Sequence, residues 1–156
     1  MASKSELQEF YRSVVKGALN LDARIDEEGD VTFELPEHGT FYFLIDAQDD
    51  PEYFMLVYPN FYAVNKENYL RALIALNTVN AKNKVVKLSY QEKLNAGTMK
   101  ASAEMFIAGN SEVPDKKLVA QILRRTIGAV VSGVSAFLHE MPKTPASEEK
   151  LGLKRW

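Results

Sequence analysis

Two histidines are the side chains of this sequence with the most obvious potential for chemistry. His38 lies in the turn-like segment PEHG, and His139 lies near the end of an apolar helical segment. Their separation does not match the HExxH spacing of a zinc site. A histidine at the end of a helix is explained by its favourable interaction with the helix dipole. We therefore expect neither histidine to be catalytic or to bind a metal.

An acidic segment, DAQDDPE, places Asp46, Asp49, Asp50 and Glu52 close together. Carboxylates can bind a hard cation, but this segment lacks the alternating ligands and the central glycine of an EF-hand loop. We interpret it as a solvated hairpin loop. A metal-dependent hydrolase built on these carboxylates is an alternative, which stabilisation by a divalent ion would support.

Other catalytic patterns are missing from the sequence. It contains no cysteine, which excludes a thiolate nucleophile and cysteine-bound zinc. Gly128 and Gly133 have P-loop spacing, but Val134 follows where a lysine is needed to reach phosphates. No serine lies in a GxSxG elbow. We expect a protein that is not an enzyme, with no catalytic residue, no cofactor and no bound metal.

Length and charge define the broad class of the protein. The chain has 156 residues, of which 46% are hydrophobic, and this suits one domain with a single core. Its formal net charge of −2 lacks the basic footprint of a nucleic-acid binder. The start MASKSELQEF has no apolar signal region, and the apolar segment 126–138 is too short to cross a membrane. We expect a cytoplasmic protein that binds neither nucleic acid nor membranes.

The pattern of apolar residues predicts an α+β fold. An antiparallel sheet of five or six strands and three helices are expected in the order α-β-β-β(-β)-α-β-β-α, because the strand count between Leu21 and Ile45 is open. Residues 1–141 form the predicted domain, and residues 142–156 form a C-terminal tail. The predicted hairpins join residues 41–46 with 53–59 and residues 85–91 with 99–108.

The helix ends are predicted from capping residues. Ser3 with Glu6, or alternatively Ser5 with Gln8, has the spacing of a capping box for a first helix that reaches about Leu19. Asn65 is expected to cap a second helix, and Pro114 suits the first turn of a third.

The strand segment FYFLID is apolar on both faces. Because alternate residues point to opposite faces of a sheet, helices that cover one face leave either Tyr42 and Leu44 or Phe41 and Phe43 on the other. Aromatic residues with a polar edge suit protein interfaces. Tyr42 and Leu44 are therefore candidates for a partner surface. The alternative is that both faces are simply core.

The second helix carries an apolar arc that is too broad for one buried face. A helical wheel shows the arc extending across Leu70, Ile74 and Ala81 as well as the expected core positions. Such a helix should be covered on two sides, once by its own sheet and once by a second copy of the chain. We therefore expect a homodimer. The candidate surface residues chosen from this arc are Tyr69, Ala72, Leu76 and Val79.

Three amides interrupt the same helix, at Asn77, Asn80 and Asn83. A buried amide without partners costs about 1 to 3 kcal/mol. Asn77 and Asn80 are therefore expected to bond to backbone near the end of the helix or across an interface. Asn83 is expected to be the left-handed residue that ends the helix. We interpret all three as structural amides rather than as a ligand site.

These segments are similar to a known family. The helix ending LNTVNAKN, the strand VVKLSYQ, the segment ASAEMFIA and the long closing helix resemble the YbjN-like domains, which share the fold of the type III secretion chaperones related to the Tir chaperone. The resemblance covers roughly residues 5–141. It implies a compact α+β domain, often dimeric, that acts as a protein-binding module or regulator without chemistry. The secretion chaperones of this fold hold effector segments in extended form against apolar surface.

The expected function is therefore that of a bacterial, non-enzymatic protein-binding module, chaperone-like or regulatory. It would act through the apolar surface of a homodimer on another protein, whose identity the sequence does not give. The alternative is a regulatory domain that senses a small ligand in a pocket between sheet and helices. An apolar cavity with a few converging polar groups would favour the ligand sensor. A filled core with a flat exposed patch would favour the protein binder.

Overall fold

The computed structural model describes residues 2–45, 52–93, 96–107 and 113–142 of the chain. Within these residues the helices and strands follow the order α-β-β-β-β-α-β-β-α, which confirms the predicted order with the optional strand present. The elements are α1 Lys4–Leu19, β1 Ala23–Ile25, β2 Val31–Leu35, β3 Gly39–Phe43, β4 Tyr53–Val64, α2 Tyr69–Lys82, β5 Val86–Lys93, β6 Ala96–Phe106 and α3 Lys116–Glu140.

The strands form one antiparallel sheet in the order β1-β2-β3-β4-β6-β5. β1 and β5 are therefore its edge strands. β1 has only three residues, and the carbonyl of Ala23 in this strand accepts a hydrogen bond from Arg12 Nε of α1 at 3.1 Å. The first edge of the sheet is thus short and partly occupied by a helix side chain.

The helices pack on one face of the sheet. Phe41 and Phe43 are fully buried on this face, and the ring of Tyr11 in α1 lies 4.6 Å from the ring of Phe43. Because side chains alternate along a strand, Tyr42 and Leu44 lie on the opposite face, and both are half-buried. Of the two arrangements expected for this segment, the structure has the one that leaves Tyr42 and Leu44 away from the helices.

α1 has the predicted N-terminus. Ser3 Oγ accepts a hydrogen bond from the backbone N–H of Glu6 at 3.2 Å, and the Glu6 carboxylate accepts one from the backbone N–H of Ser3 at 2.7 Å. Of the two predicted capping boxes, the structure therefore has the one at Ser3 and Glu6. At the other end Asn20 adopts a left-handed conformation, with φ of 56°, and its N–H donates to the carbonyl of Lys16.

The starts of α2 and α3 differ from the predicted ones. Asn68, not Asn65, precedes the first residue of α2, and the Asn65 side chain instead accepts hydrogen bonds from the backbone N–H groups of Glu67 and Asn68 at 2.9 and 3.0 Å. α3 begins after Asp115, whose side chain caps it, so Pro114 lies just outside the helix. Short polar side chains can bind the backbone either in a turn or at a cap, and sequence spacing does not distinguish the two.

α3 approaches the sheet closely. A Cβ atom placed on the buried Gly133 would lie 2.6 Å from Cγ1 of Val86 in β5. Ala101 and Ala103 of β6 are also fully buried, as expected for strand residues beneath a helix. No helix in the described part of the chain is long and apolar enough to span a bilayer.

Candidate protein-binding surfaces

Asn80 joins α2 to the second edge of the sheet. Its Oδ1 accepts a hydrogen bond from the backbone N–H of Leu88 at 2.8 Å, and its Nδ2 donates to the carbonyl of Leu88 at 3.0 Å. β5 has a neighbouring strand on one side only, so the side-chain amide takes the place of the missing strand at this residue. The expectation that Asn80 bonds to backbone near the end of the helix is therefore confirmed.

The other two amides behave differently. Asn83 has extended backbone, with φ of −102°, so the predicted left-handed conformation is wrong. Its backbone N–H and Nδ2 both donate to the carbonyl of Val79, and this side-chain bond satisfies a helix end without a left-handed residue. The positive φ in this turn belongs to Val85, at 73°. Asn77 is exposed, and its side chain makes no hydrogen bond within the described residues.

α2 is apolar on two opposite faces, as the broad arc predicted. Its inner face is formed by Ala72, Ala75 and Val79, which are buried against the sheet and α3. Ala72 and Val79 were expected on a partner surface, and their burial corrects that assignment. A wheel shows that two sides will be covered, but it does not show which side meets the sheet. The small side chains of Ala72 and Ala75 explain the choice, because they let the helix approach closely.

The outer face of α2 carries the exposed side chains Leu70, Ile74, Asn77 and Ala81. Leu70 is 70% exposed and Ile74 is 54% exposed, and they lie one helical turn apart on the same stripe. Both residues lie within the predicted apolar arc but were not among the residues expected on the partner surface. Their position on the helical wheel, opposite Ala72 and Ala75, could have indicated that they face outward.

Tyr69 and Leu76, the remaining candidates on α2, flank the inner face. Leu76 is half-buried, whereas Tyr69 is 42% exposed and its ring lies 5.3 Å from the ring of Tyr90 in β5. Tyr90 in turn covers Gly97, where an added Cβ would lie 2.1 Å from the tyrosine ring. The two rings line an open cleft of about 570 Å³ at the sheet edge, with Lys66 and Lys93 also on its walls.

A second open cleft, of about 400 Å³, lies beside β1 and β2 and is lined in part by Arg24 and Phe33. Both clefts face solvent at an edge of the sheet. The space between the helices and the middle of the sheet is filled by large buried side chains such as Phe54, Met99 and Phe137. These side chains belong to the hydrophobic core of the described residues.

The face of the sheet away from the helices has a polar centre. Glu104 Oε2 accepts hydrogen bonds from Tyr53 Oη at 2.7 Å and Lys87 Nζ at 2.6 Å, and Oε1 accepts one from Ser102 Oγ at 2.8 Å. Burial of this carboxyl opposes its ionisation, but the three hydrogen bonds outweigh that effect and the pKa of Glu104 lies below its ordinary value.

The same face has an apolar end, formed by Leu44, Tyr53, Met55 and Phe106. The backbone N–H of Leu44 donates to the carbonyl of Met55 at 3.1 Å, and Tyr53 pairs with Phe106 across β4 and β6. The Phe106 ring is 72% exposed and lies 5.6 Å from the ring of Tyr53. The candidate Leu44 thus belongs to a cluster of large side chains on this face, and Tyr42 lies beside Val57 towards its centre.

The residues first considered for chemistry do not form a site in the described part of the chain. No group of three or more His, Asp or Glu side chains among these residues is placed to hold a metal. His38 lies in the turn before β3, where its carbonyl accepts a hydrogen bond from Tyr58 Oη at 2.6 Å, and His139 lies in the last turn of α3. Asp46, Asp49 and Asp50 of the acidic segment lie outside the described residues.

The fold has a known counterpart among solved structures. The chain is similar to the crystal structure of YbjN from E. coli, a candidate transcription regulator, with a TM-score of 0.64, 13% sequence identity, and coverage of 86% of this chain and 95% of that chain. At this identity the likeness concerns the fold alone. The YbjN-like fold implied by the sequence resemblance is thereby confirmed. No protein-family model matches the chain, and no curated protein matches it.

Proposed function

We propose that this protein is a non-enzymatic regulator that binds another protein and acts as a homodimer. The observation that carries the proposal is the outer face of α2, where Leu70 and Ile74 expose most of their apolar surface. No other element of the described chain covers these side chains. Grouped apolar side chains on the surface of a small protein mark interaction sites, because their exposure to water is unfavourable.

A second copy of the chain fits the outer face of α2. In a two-fold dimer the same patch meets itself, so a patch must be complementary to its own reversed copy. The large apolar side chains of the outer face are Leu70 and Ile74, and two antiparallel copies of α2 that cross between these residues would place Leu70 of one copy against Ile74 of the other. α2 is about 21 Å long, and a stable interface buries about 1,000 Å² or more. Tyr69 and Val85, both exposed near the ends of α2, would extend the contact.

The binding site for the other protein is proposed to be the apolar end of the sheet face away from the helices. Tyr53 and Phe106 form an aromatic pair there, and aromatic side chains commonly supply most of the binding energy at protein interfaces. The hydrogen bond from Tyr53 to Glu104 holds one of the two rings in place. A partner would bury these rings without any covalent step. If the protein acts as a chaperone, an extended segment of its client would bind to the same surface.

The regulatory part of the proposal is supported by the structural neighbour, which is described as a candidate transcription regulator. The net charge of −2 does not favour binding to DNA phosphates. We therefore propose that regulation proceeds through protein contacts, in the cytoplasm.

The mass in solution tests the dimer. Sedimentation equilibrium of the wild type should show a monomer–dimer equilibrium, and the double variant Leu70→Glu/Ile74→Glu should remain monomeric. Leu118→Glu is the matched control, since Leu118 is an exposed apolar residue of α3. A monomeric mass for the wild type at its highest soluble concentration, or a dimer that is unchanged in the double variant, contradicts this interface.

The partner surface needs a comparison between variants. The wild type and Phe106→Ser should be used as baits in the native host, with captured proteins quantified by mass spectrometry. Val113→Ser is the control, because Val113 is also exposed and lies outside the proposed surface. A protein captured by the wild type and the control but not by Phe106→Ser supports the proposal, and equal capture by all three opposes it.

A second candidate function, sensing of a small ligand, is favoured by the cleft at Tyr69 and Tyr90. Its walls combine two aromatic rings with the charged side chains of Lys66, Lys93 and Glu92, which suits an aromatic compound with polar substituents. Thermal stabilisation of the wild type by such a compound, lost in Tyr90→Ala, would support this function over the protein binder.

A further inference from the structure

The end of α3 is tied to the start of α2. Arg71 donates from Nε and Nη2 to the carbonyl of Glu140, at 3.1 and 2.8 Å. This carbonyl belongs to the last residue of α3 and is one that the helix itself leaves unpaired. The chain beyond Pro142 therefore departs next to the N-terminal half of α2, where Leu70 precedes Arg71.

Residues 143–156 lie outside the described part of the chain, and their sequence is KTPASEEKLGLKRW. Polar and small residues come first, followed by the apolar side chains of Leu151, Leu153 and Trp156. A chain spans at most about 3.3 to 3.6 Å per residue, so Leu151 can lie up to about 30 Å from Pro142. α2 is only about 21 Å long. All of the outer face of α2 is within reach of these side chains.

We propose that residues 151–156 pack on the outer face of α2 within a single copy of the chain. Leu70 and Ile74 provide an uncovered apolar stripe at the point where this segment departs, and the segment carries the apolar side chains needed to cover it. This inference rests on the proposed function in one respect, since the segment then competes with the second copy for the same face. Dimerisation follows release of the segment.

The attraction in this contact is apolar, not ionic. Lys154 and Arg155, the charged side chains of residues 151–156, have the same sign of charge as Arg71 and Lys82 of α2. Salt screens repulsion between exposed charges. Added sodium chloride should therefore leave the fraction of docked segment unchanged or raise it. A contact held by ion pairs would instead be weakened by the salt.

Trp156 reports on this contact directly, because it is the only tryptophan in the chain. In the full chain at a concentration where it is monomeric, its fluorescence emission should be blue-shifted from that of N-acetyl-tryptophanamide. Leu70→Glu and Ile74→Glu should each shift it back towards that reference. Leu118→Glu, which lies about 33 Å along α3 from Glu140, should leave it unchanged. Emission like the free reference in the wild type, or no response to Leu70→Glu and Ile74→Glu, overturns the proposal.

Sedimentation measures the competition. Both copies must release the segment before they can dimerise. If the segment is docked in about ten of every eleven molecules, each copy weakens dimerisation about tenfold, and the apparent dimer dissociation constant rises about a hundredfold. Leu151→Ser/Leu153→Ser should therefore dimerise more tightly than the wild type, and an equal or weaker dimer overturns the competition. A blue-shifted Trp156 emission in a protein that forms no dimer would support the docked segment and contradict the proposed homodimer. A dimer whose Trp156 emission matches that of N-acetyl-tryptophanamide would support the homodimer and contradict the docked segment.

Discussion

The amide of Asn80 and the backbone of Leu88 exchange two hydrogen bonds, at 2.8 and 3.0 Å, across the gap between α2 and the edge strand β5. A helix side chain thus does what a further strand would do for one residue of the edge. Both residues of this pair are partly or fully buried, so water is a poor substitute for the amide.

Asn80→Ala should therefore destabilise the protein by about 2 to 3 kcal/mol, because it leaves the N–H and C=O of Leu88 unpaired. Asn77→Ala is the control: Asn77 is on the same helix but is exposed, and its replacement should change stability by less than about 0.5 kcal/mol. Urea denaturation followed by circular dichroism measures both. Equal losses would mean that the Leu88 contact contributes nothing specific.

Gly133 and Gly128 lie in the same helix but should respond in opposite directions to alanine. Gly133→Ala forces a methyl group against Val86 and should cost about 1 to 3 kcal/mol. Gly128 has no atom within 4 Å of an added Cβ and is exposed, so Gly128→Ala should gain about 0.5 to 1 kcal/mol from helix propensity. Thermal and urea unfolding test the pair. The cost of Gly133→Ala should shrink in a Val86→Ala background, because the clash is removed.

Val85 adopts a positive φ that suits a β-branched residue poorly. Strain of this kind costs about 1 to 3 kcal/mol. Val85→Asn should therefore raise the free energy of unfolding by about 1 kcal/mol, since asparagine adopts a positive φ more readily than a β-branched residue does. Val113→Asn, at an exposed valine without a positive φ, should have no comparable effect. A destabilised Val85→Asn would show that the valine side chain has a contact that outweighs the strain.

Glu104 should make stability fall in acid. Its folded pKa is below the unfolded value, so its ionised form stabilises the protein above the unfolded pKa, and this stabilisation is lost as the pH falls through the folded pKa. Between about pH 5 and pH 3 the wild type should lose more stability than Glu104→Gln, which cannot ionise. Urea midpoints measured across this range test the expectation. Parallel curves for the two proteins would assign the acid sensitivity to other carboxyls.

The element order and the alternation of side chains along β3 could be predicted because they follow from local patterns, whereas the choice of the β3 face that meets the helices was left open. A capping box at Ser3 and Glu6 and the alternation through Phe41 and Phe43 each depend on a few neighbouring residues, and the structure has both. The resemblance to the YbjN-like fold was likewise predicted from the order of helices and strands, and the structural similarity confirms it.

The errors concern choices that depend on distant parts of the chain. Ala72 and Val79 are as apolar as Leu70 and Ile74, and only the close packing of α2 against the sheet decides which pair is buried. The turn after α2 is similar: Asn83 has the residue type for a left-handed conformation, yet its side chain bonds the carbonyl of Val79 and leaves the positive φ to Val85.

The two sheet edges also bear on how the folded protein avoids polymerising. A long, flat edge with free N–H and C=O groups templates the addition of strands from other molecules. Here one edge is the three-residue β1, with its Ala23 carbonyl bonded to Arg12, and the other is interrupted at Leu88 by Asn80. β1 is short and β5 is blocked at Leu88, so the asparagine that secures α2 also shortens the edge that is open to a strand from another molecule.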